Sequence, residues 1–120
     1  MDKLINISNQ EGKLVVSSRE VARNFGKRHD NVLMVIEILV SNMGSPEKSG
    51  SLFIPAEYQH EQNKQTYREY LLTRDGFSLL VMGFTGREAL EWKLKYIEAF
   101  NQMESALKER QPQTSIQALQ

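Results

Sequence analysis

The sequence predicts an α+β domain of the winged helix-turn-helix type, and three observations support this prediction. Residues 17–36 have the pattern of two short helices joined by a tight turn. A pair of β-prone runs precedes these helices and a second pair follows them. A short helix and a long helix are then expected between about residue 74 and residue 110. We expect one domain over residues 1–110 and, in the Gln-rich, proline-interrupted segment 111–120, a disordered tail or linker.

The first hairpin is expected at the amino terminus. Residues 4–7 and 13–16 are short runs of β-prone side chains. The polar segment 8–12 between them is typical of a turn. We therefore expect two short strands joined by that segment.

Capping signals and helical periodicity predict the helix-turn-helix. Ser17 and Glu20 have the spacing of a capping box, in which each side chain binds a backbone N–H of the first turn, so the first helix is expected to begin near Arg19. Gly26 is expected to end this helix in a left-handed conformation. A second amphipathic helix is expected to begin around His29. Its apolar positions recur at helical spacing, at Val32, Ile36, Leu39 and Met43.

A loop and a second hairpin are predicted next. Residues 41–51 are rich in Gly, Ser and Asn and contain a proline, and we expect an exposed loop there. Residues 52–54 and 67–72 are strand-like, with a turn near Asn63 and Lys64. Pro55 is expected to end the first of these strands or to place it at a sheet edge. A hairpin directly after a helix-turn-helix is a wing, and its polar tip is suited to sugar and phosphate contacts.

Two helices are expected to complete the domain. Thr73 can cap a short helix over residues 74–82, and Gly83 is expected to end it. The run from Arg87 to about Arg110 contains no Gly or Pro and is predicted to be one long helix. Its apolar stripe contains Ala89, Leu90, Leu94, Tyr96, Ile97, Phe100, Met103 and Leu107. We predict a homodimer joined through this helix, with interface residues Tyr96, Phe100, Met103 and Leu107; the alternative is that the helix packs on its own domain.

Composition excludes several classes of protein. The 120 residues contain no cysteine, which removes thiol chemistry and thiolate metal sites. No apolar run reaches membrane-spanning length, so a soluble protein of the cytoplasm is expected, with no membrane partner. Basic and acidic residues balance at 15 each. Within residues 17–31, however, four basic side chains face only two acidic ones, which is a local basic excess.

Catalysis is not expected. Histidine occurs only at His29 and His60, and neither belongs to a metalloprotease motif. The chain has no nucleophile elbow, no paired catalytic carboxylates and no Gly-rich nucleotide loop. We therefore expect neither an enzyme nor a bound metal or cofactor.

The chain resembles the Rha family of phage regulatory proteins. The resemblance is carried by residues 71–86, which begin with the specific block Leu-Leu-Thr-Arg-Asp-Gly-Phe, and by the earlier segments 16–22 and 28–32. Single positions in the long helix also match: Ala89, Lys93, Tyr96, Ile97, Phe100, Asn101, Met103 and Glu104. It implies a protein encoded by a temperate phage or prophage that regulates phage gene expression in a bacterial host, through a domain described as DNA-binding. It also implies that longer relatives append a carboxy-terminal domain of antirepressor type. Where members of the family often have a charged pair, this chain has Met34 and Val35.

Two functions are therefore weighed, a regulator that binds double-stranded DNA and an antirepressor-like module that binds a phage or host repressor protein. For the first, the basic side chains are expected to meet phosphates, and Asn31 to read adenine, while Asp30 caps the second helix; the alternative is that both Asp30 and Asn31 are caps at the helix start. Met34 and Ile38 suit either a thymine methyl group or a protein partner. A solvated polar surface is the alternative for the charged residues. The predicted DNA contacts are Ser18, Arg19, Arg23, Lys27, Arg28, His29, Asn31, Met34, His60 and Lys64.

Overall fold

A computed structural model describes residues 5–110 of the chain, without the side chain of Arg110, so the tail predicted at 111–120 lies outside the described residues. Residues 5–110 form an α+β fold, as predicted, with a four-stranded antiparallel sheet in the order β1-β2-β4-β3. None of the helices in this range is long and apolar enough to cross a membrane. The elements are β1 (Ser8–Gln10), β2 (Lys13–Ser17), α1 (Ser18–Asn24), α2 (His29–Met43), α3 (Pro46–Gly50), β3 (Phe53–Gln59), β4 (Thr66–Thr73), α4 (Arg74–Val81) and α5 (Arg87–Arg110).

The turn between α1 and α2 follows the sequence prediction. Gly26 has φ +68°, the left-handed conformation expected of a residue that ends a helix. The Lys27 N–H donates to the Ala22 carbonyl at 2.8 Å, and the Gly26 N–H donates to the Arg23 carbonyl at 3.2 Å. These two bonds satisfy carbonyls at the end of α1 in a Schellman motif. The turn is therefore fixed by backbone hydrogen bonds, and α2 begins at His29 as predicted.

The capping box predicted at the start of α1 is only half formed. Ser17 caps the helix, and its Oγ accepts the Arg19 N–H at 3.0 Å. Glu20 does not return to the cap; its carboxylate is nearly buried and accepts the Asn6 N–H at 2.9 Å. A contact with the amino-terminal segment thus replaces the local one. The helix begins at Ser18, one residue before the predicted start.

The loop predicted at residues 41–51 is wrong over most of its length. Helix α2 runs through Met43 and ends at Gly44, which has φ +68°. Helix α3 follows at once, because Ser45 caps it by accepting the Lys48 N–H at 3.3 Å and Pro46 occupies its first turn. A serine followed by proline is a helix start as well as a loop signal.

Both hairpins are present, but their strands differ from the predicted ones. Residues 5–7 of the strand predicted at 4–7 are not in a strand, and Leu4 lies outside the described residues. The first strand is instead Ser8–Gln10, because the tight turn at Glu11 and Gly12 pairs Gln10 directly with Lys13. Strand β3 continues to Gln59 and so passes through Pro55. Proline is tolerated there because β3 is an edge strand.

The inward side of α5 completes the core. Tyr96 and Phe100 are buried, and the Tyr96 ring stacks on Phe77 with centroids 4.5 Å apart. Met103 and Leu107 are partly buried against the same core. The dimer interface predicted at these four residues is therefore wrong for Tyr96 and Phe100, whose side chains are occupied within their own domain. The sequence stripe mixes a side that packs inward with a side that faces solvent.

Candidate nucleic-acid interface

The candidate site lies where the first residues of α1 and α2 meet the β3–β4 hairpin, and Ser18 joins these three elements. Its side chain is fully buried, and its Oγ accepts the Tyr70 N–H at 3.0 Å. The same oxygen lies 2.8 Å from Nε2 of His29, so the hydroxyl proton is available to that nitrogen. The prediction that Ser18 contacts DNA is wrong, since the residue has no exposed surface. Its role is to fix α1, α2 and β4 relative to one another.

Five side chains form a cluster over this junction, which we call the Arg19 cluster: Arg19, His29, Tyr58, His60 and Tyr67. The guanidinium carbon of Arg19 lies 3.7 Å from the centroid of the Tyr58 ring. The Tyr58 ring contacts both His29 and Tyr67, with centroid distances of 6.3 Å and 5.8 Å, and the His60 and Tyr67 centroids are 6.1 Å apart. The structure thus brings together three of the predicted DNA-contact residues, Arg19, His29 and His60, which are distant in the sequence.

Stacking holds the Arg19 guanidinium without neutralising its charge. A cation over an aromatic face is attracted by the ring quadrupole, and the N–H donors at the edge of the planar guanidinium stay free for other partners. Arg19 is exposed and makes no ion pair within residues 5–110. Its charge is therefore presented to solvent on an ordered side chain.

His29 adds no second positive charge to the cluster. Partial burial lowers the pKa of His29 below its ordinary value, and the charge of Arg19 lowers it further, against opposing effects of Glu69 and Asp30. The imidazole is consequently neutral at pH 7. His29 can still donate a hydrogen bond to a phosphate, as predicted, but at this pH the ring adds no positive charge to that contact.

Arg23 extends the positive surface along α1. It lies four residues after Arg19, so the two side chains are neighbours on one side of the helix. Both line an open hollow of about 670 Å³ together with residues 5–8, Ser17, Glu20 and Leu71. Arg23, like Arg19, is exposed and has no carboxylate ion pair in the described part of the chain. Lys27 lies elsewhere, with its ammonium 5.0 Å from the Phe84 ring centroid beside the α4–α5 connection.

The charges on the outward side of α2 are paired. Arg28 forms a 2.7 Å ion pair with Asp30, and this hydrogen bond lowers the pKa of the Asp30 carboxyl. Asp30 therefore does not cap α2; the cap position is Arg28, which makes no side-chain capping bond. Further along the helix, Glu37 pairs with Arg68 of β4. This side of α2 consequently presents little free positive charge.

Polar and apolar side chains share the rest of that surface. Asn31 is exposed in the first turn of α2, as its predicted role requires. Met34 and Ile38 are 52% and 53% exposed, which is a large fraction for apolar side chains. They lie four residues apart and therefore on one side of the helix. Both alternatives considered for Met34, a base contact and a protein contact, remain compatible with this exposure.

The hairpin tip is an ordered turn that carries Lys64. The His60 N–H donates to the Gln65 carbonyl at 2.8 Å, and Asn63 Oδ1 accepts the Gln65 N–H at 2.8 Å. Lys64 takes a positive φ of 62° inside this turn, and its side chain is exposed. The tip thus presents one cation at the end of the hairpin, beyond the Arg19 cluster.

Tyr58 and Tyr67 were not predicted as site residues. They are directly paired across β3 and β4, so their side chains project from the same face of the hairpin. Their sequence signal was an aromatic residue on each side of a predicted turn, but the pairing depends on β3 continuing past Pro55. Among residues 5–110, no group of three or more His, Asp or Glu side chains could hold a metal ion.

Comparison with known proteins places the chain in a family. A family model described as phage regulatory protein Rha matches residues 16–105. The chain belongs to the Rha family of phage regulatory proteins. The matched range begins in β2 and ends within α5, so it includes every element of the candidate interface.

Three curated proteins are similar to the chain over most of its length. An uncharacterised protein of Haemophilus influenzae is 35% identical over 101 residues, 84% of this chain and 58% of that protein. YoqD, an SPbeta prophage-derived protein of Bacillus subtilis named as a proposed antirepressor, is 31% identical over 111 residues, 92% of this chain and 44% of its own. An uncharacterised 22.8 kDa protein of Salmonella phage P22 is 34% identical over 105 residues, 82% of this chain and 48% of its own. The chain thus spans about half the length of these relatives, and no solved structure matches it significantly.

Proposed function

We propose that this Rha-family chain is a transcriptional regulator, encoded by a phage or prophage and acting in the bacterial cytoplasm, that binds double-stranded DNA. The contact surface is a winged helix-turn-helix made of α1, α2 and the β3–β4 hairpin, without catalytic activity or cofactor. The observation that carries the proposal is the position of Arg19 and Arg23: two exposed arginines without carboxylate partners lie side by side where the helices meet the hairpin. Such pairs of cations suit successive phosphates of a nucleic-acid backbone.

The connections of the sheet support this reading of the hairpin. It follows α2 and α3 in the chain, and β4 pairs with β2, the strand directly before α1. In the chain, α1 and α2 thus lie between β2 and β4, which pair with each other. The hairpin extends beside the start of α2. A hairpin in that position can reach the sugar–phosphate backbone while α2 faces the major groove.

Each part of the surface then has a distinct role. Arg19, Arg23 and Lys64 contact phosphates, which fix the position of the protein on the duplex without reading sequence. Asn31 and Met34 lie on the outward side of α2 and face base edges, an amide suiting adenine and an apolar side chain suiting the thymine methyl group. Because Arg28 is engaged with Asp30, its contribution requires that pair to open.

The proposal is tested by an anisotropy titration of the purified chain with DNA from its own promoter region. Arg19→Ala is expected to weaken binding for all sequences and to flatten the slope of log K against log salt by about one unit. Lys48→Ala removes an exposed cation in α3, away from the proposed surface, and is the control for loss of one positive charge. Equal effects of both substitutions would mean that DNA binding depends only on the net charge of the protein, which would contradict the assigned surface.

A second candidate function is an antirepressor-like module, favoured by the exposed Met34 and Ile38 and by the name of the Bacillus subtilis relative. In this case the outward side of α2 binds a repressor protein through apolar contacts. The ion pair between Glu37 and Arg68 stays intact in that complex, so binding does not leave either charge unpaired. Titration calorimetry with the purified repressor of the same prophage distinguishes the two. Under this candidate, Ile38→Glu abolishes repressor binding and Arg19→Ala leaves it unchanged.

We extend the proposal to a homodimer. Helix-turn-helix regulators commonly bind two half-sites about one helical turn apart, and two copies of α2 would match this arrangement.

A further inference from the structure

The outward side of α5 carries an apolar stripe that is about half exposed and lies outside the hydrophobic core formed by residues 5–110. It consists of Leu90, Leu94 and Ile97, which are 56%, 57% and 46% exposed. Steps of four and three residues place them on one side of the helix, about a quarter to a third of a turn away from the side that Tyr96 and Phe100 bury. Three adjacent large aliphatic side chains at this exposure are unusual for a surface without a partner.

We propose that this stripe is the contact surface with a second copy of the chain, formed by two parallel α5 helices. This surface would join the homodimer of the proposed function, and its formation does not require DNA. The spacing is that of a coiled-coil seam, with Leu94 at an a position and Leu90 and Ile97 at the flanking d positions. Three such positions make a short seam, bounded at one end by Arg87 and at the other by Asn101, which accepts a hydrogen bond from Arg74.

The charges beside the stripe favour the parallel arrangement. In this numbering of the seam Lys93 occupies a g position and Glu98 the following e position, and these face each other between the chains of a parallel pair. Neither residue forms an ion pair within residues 5–110. In an antiparallel pair like positions meet instead, so Lys93 would face Lys93 and the acidic side, Glu91 and Glu98, would face itself. Two-fold symmetry makes the favourable contact twice in the parallel dimer.

The position of the stripe along α5 favours a second copy of the chain as its partner, rather than the residues that follow α5. Ile97 lies about 20 Å along the helix axis from Arg110, the last residue of α5. Chain that follows α5 therefore begins well beyond the stripe. A second α5 placed alongside covers all three apolar residues at once and directs both carboxyl ends the same way.

Sedimentation of the full chain between about 1 and 200 μM tests the surface, a range suited to a short seam whose area is below that of a standard interface. The wild type is expected to form a dimer, and Leu94→Glu to raise the dissociation constant at least about tenfold. Ile38→Glu is the matched control, because it places the same charge at a 53% exposed aliphatic position on α2 and should leave the dimer intact. Since both sites are exposed, circular dichroism should report a folded chain in each variant.

A monomeric wild type over this range would overturn the proposal. So would a dimer that survives Leu94→Glu, or one that Ile38→Glu disrupts instead. None of these measurements contains DNA, so failure of the dimer and failure of DNA binding are observed separately.

Disulfide trapping tests the orientation, since the chain has no cysteine of its own. In the parallel dimer two Leu90→Cys chains bring their cysteines together and cross-link under mild oxidation. In an antiparallel dimer these cysteines are roughly 10 Å apart along the axis, beyond disulfide reach, and a mixture of Leu90→Cys and Ile97→Cys cross-links instead. Cross-linking of the mixture alone would overturn the parallel arrangement. Lys93→Glu is expected to weaken the parallel dimer, and Lys93→Glu with Glu98→Lys to restore it.

Discussion

Replacing Ser18 by alanine separates a structural role from a DNA-binding role at the same junction. The substitution removes an oxygen that accepts the Tyr70 N–H at 3.0 Å and lies 2.8 Å from His29 Nε2. Because Ser18 is fully buried, water cannot take the place of the hydroxyl without a rearrangement of α1 against β4. The cost should therefore appear in the free energy of unfolding.

The magnitude follows from the two lost contacts. A buried backbone N–H left without an acceptor costs about 1–3 kcal/mol, and the second hydrogen bond contributes about 0.5–1.5 kcal/mol. Because half-buried His29 can recover part of its bonding with water, we expect Ser18→Ala to lower the free energy of unfolding by about 1–4 kcal/mol. Urea denaturation followed through the single tryptophan, Trp92, measures this change.

Ser17→Ala is the control for loss of a neighbouring hydroxyl. Its Oγ caps α1 and donates to Glu69 at 2.8 Å, and Ser17 is only partly buried, so a loss of about 1 kcal/mol is expected. Below the unfolding transition Ser18→Ala should bind DNA within about twofold of wild type, because Ser18 has no surface to offer. A stability loss below about 0.5 kcal/mol for Ser18→Ala would refute the assigned role of the hydroxyl.

Three further predictions concern pH, packing and sequence preference. Since the folded-state pKa of His29 is lowered, the neutral ring contributes stability that is present above about pH 6.5 and is lost as pH falls further, so His29→Gln should flatten the fall of melting temperature between about pH 7 and 5. Gly76→Ala would place a Cβ 2.2 Å from the Leu52 carbonyl oxygen and should cost about 3 kcal/mol or more by urea denaturation, whereas Gly83→Ala meets open space and should be nearly neutral. Asn31→Ala should change the ranking of DNA sequences in a binding-site selection and leave the salt slope unchanged; a uniform loss of affinity would contradict base contact.

Local signals in the sequence were sufficient for the order of the four strands and of every helix except α3, and for several boundaries. Gly26 and Thr73 act through backbone groups within a few residues, so the end of α1 and the start of α4 follow directly from the chain. The α+β class follows from the same signals taken together. In contrast, Ser45 and Pro46 fit a loop and a helix start equally well, and the structure adopts the helix.

The candidate site depended on contacts between distant residues that no local pattern specifies. Ser17 and Ser18 are adjacent and chemically identical, and both bond to residues of β4 that are 52 positions away, yet only Ser18 is buried. Arg19 was identified from the local charge excess, but its aromatic partner Tyr58 depends on how far β3 extends past the proline. Charge and exposure were thus predictable, and the assembly of the cluster was not.

The long helix shows the same distinction. Its apolar residues form two stripes less than half a turn apart, one containing Tyr96 and Phe100 and the other Leu90, Leu94 and Ile97. Periodicity alone merges them into one broad apolar surface. Only the core around Phe77 determines which stripe is buried and which is exposed to solvent.

The central claim is that the surface containing Arg19 and Arg23 binds double-stranded DNA, and a salt titration tests it most directly. Labelled promoter DNA is titrated with the full chain at about 50 and 200 mM salt, with Arg19→Ala measured alongside. We predict binding at the lower salt concentration, a clear loss of affinity at the higher one, and a salt slope about one unit smaller for Arg19→Ala. Absence of binding at low salt, or a slope that Arg19→Ala leaves unchanged, would contradict the claim.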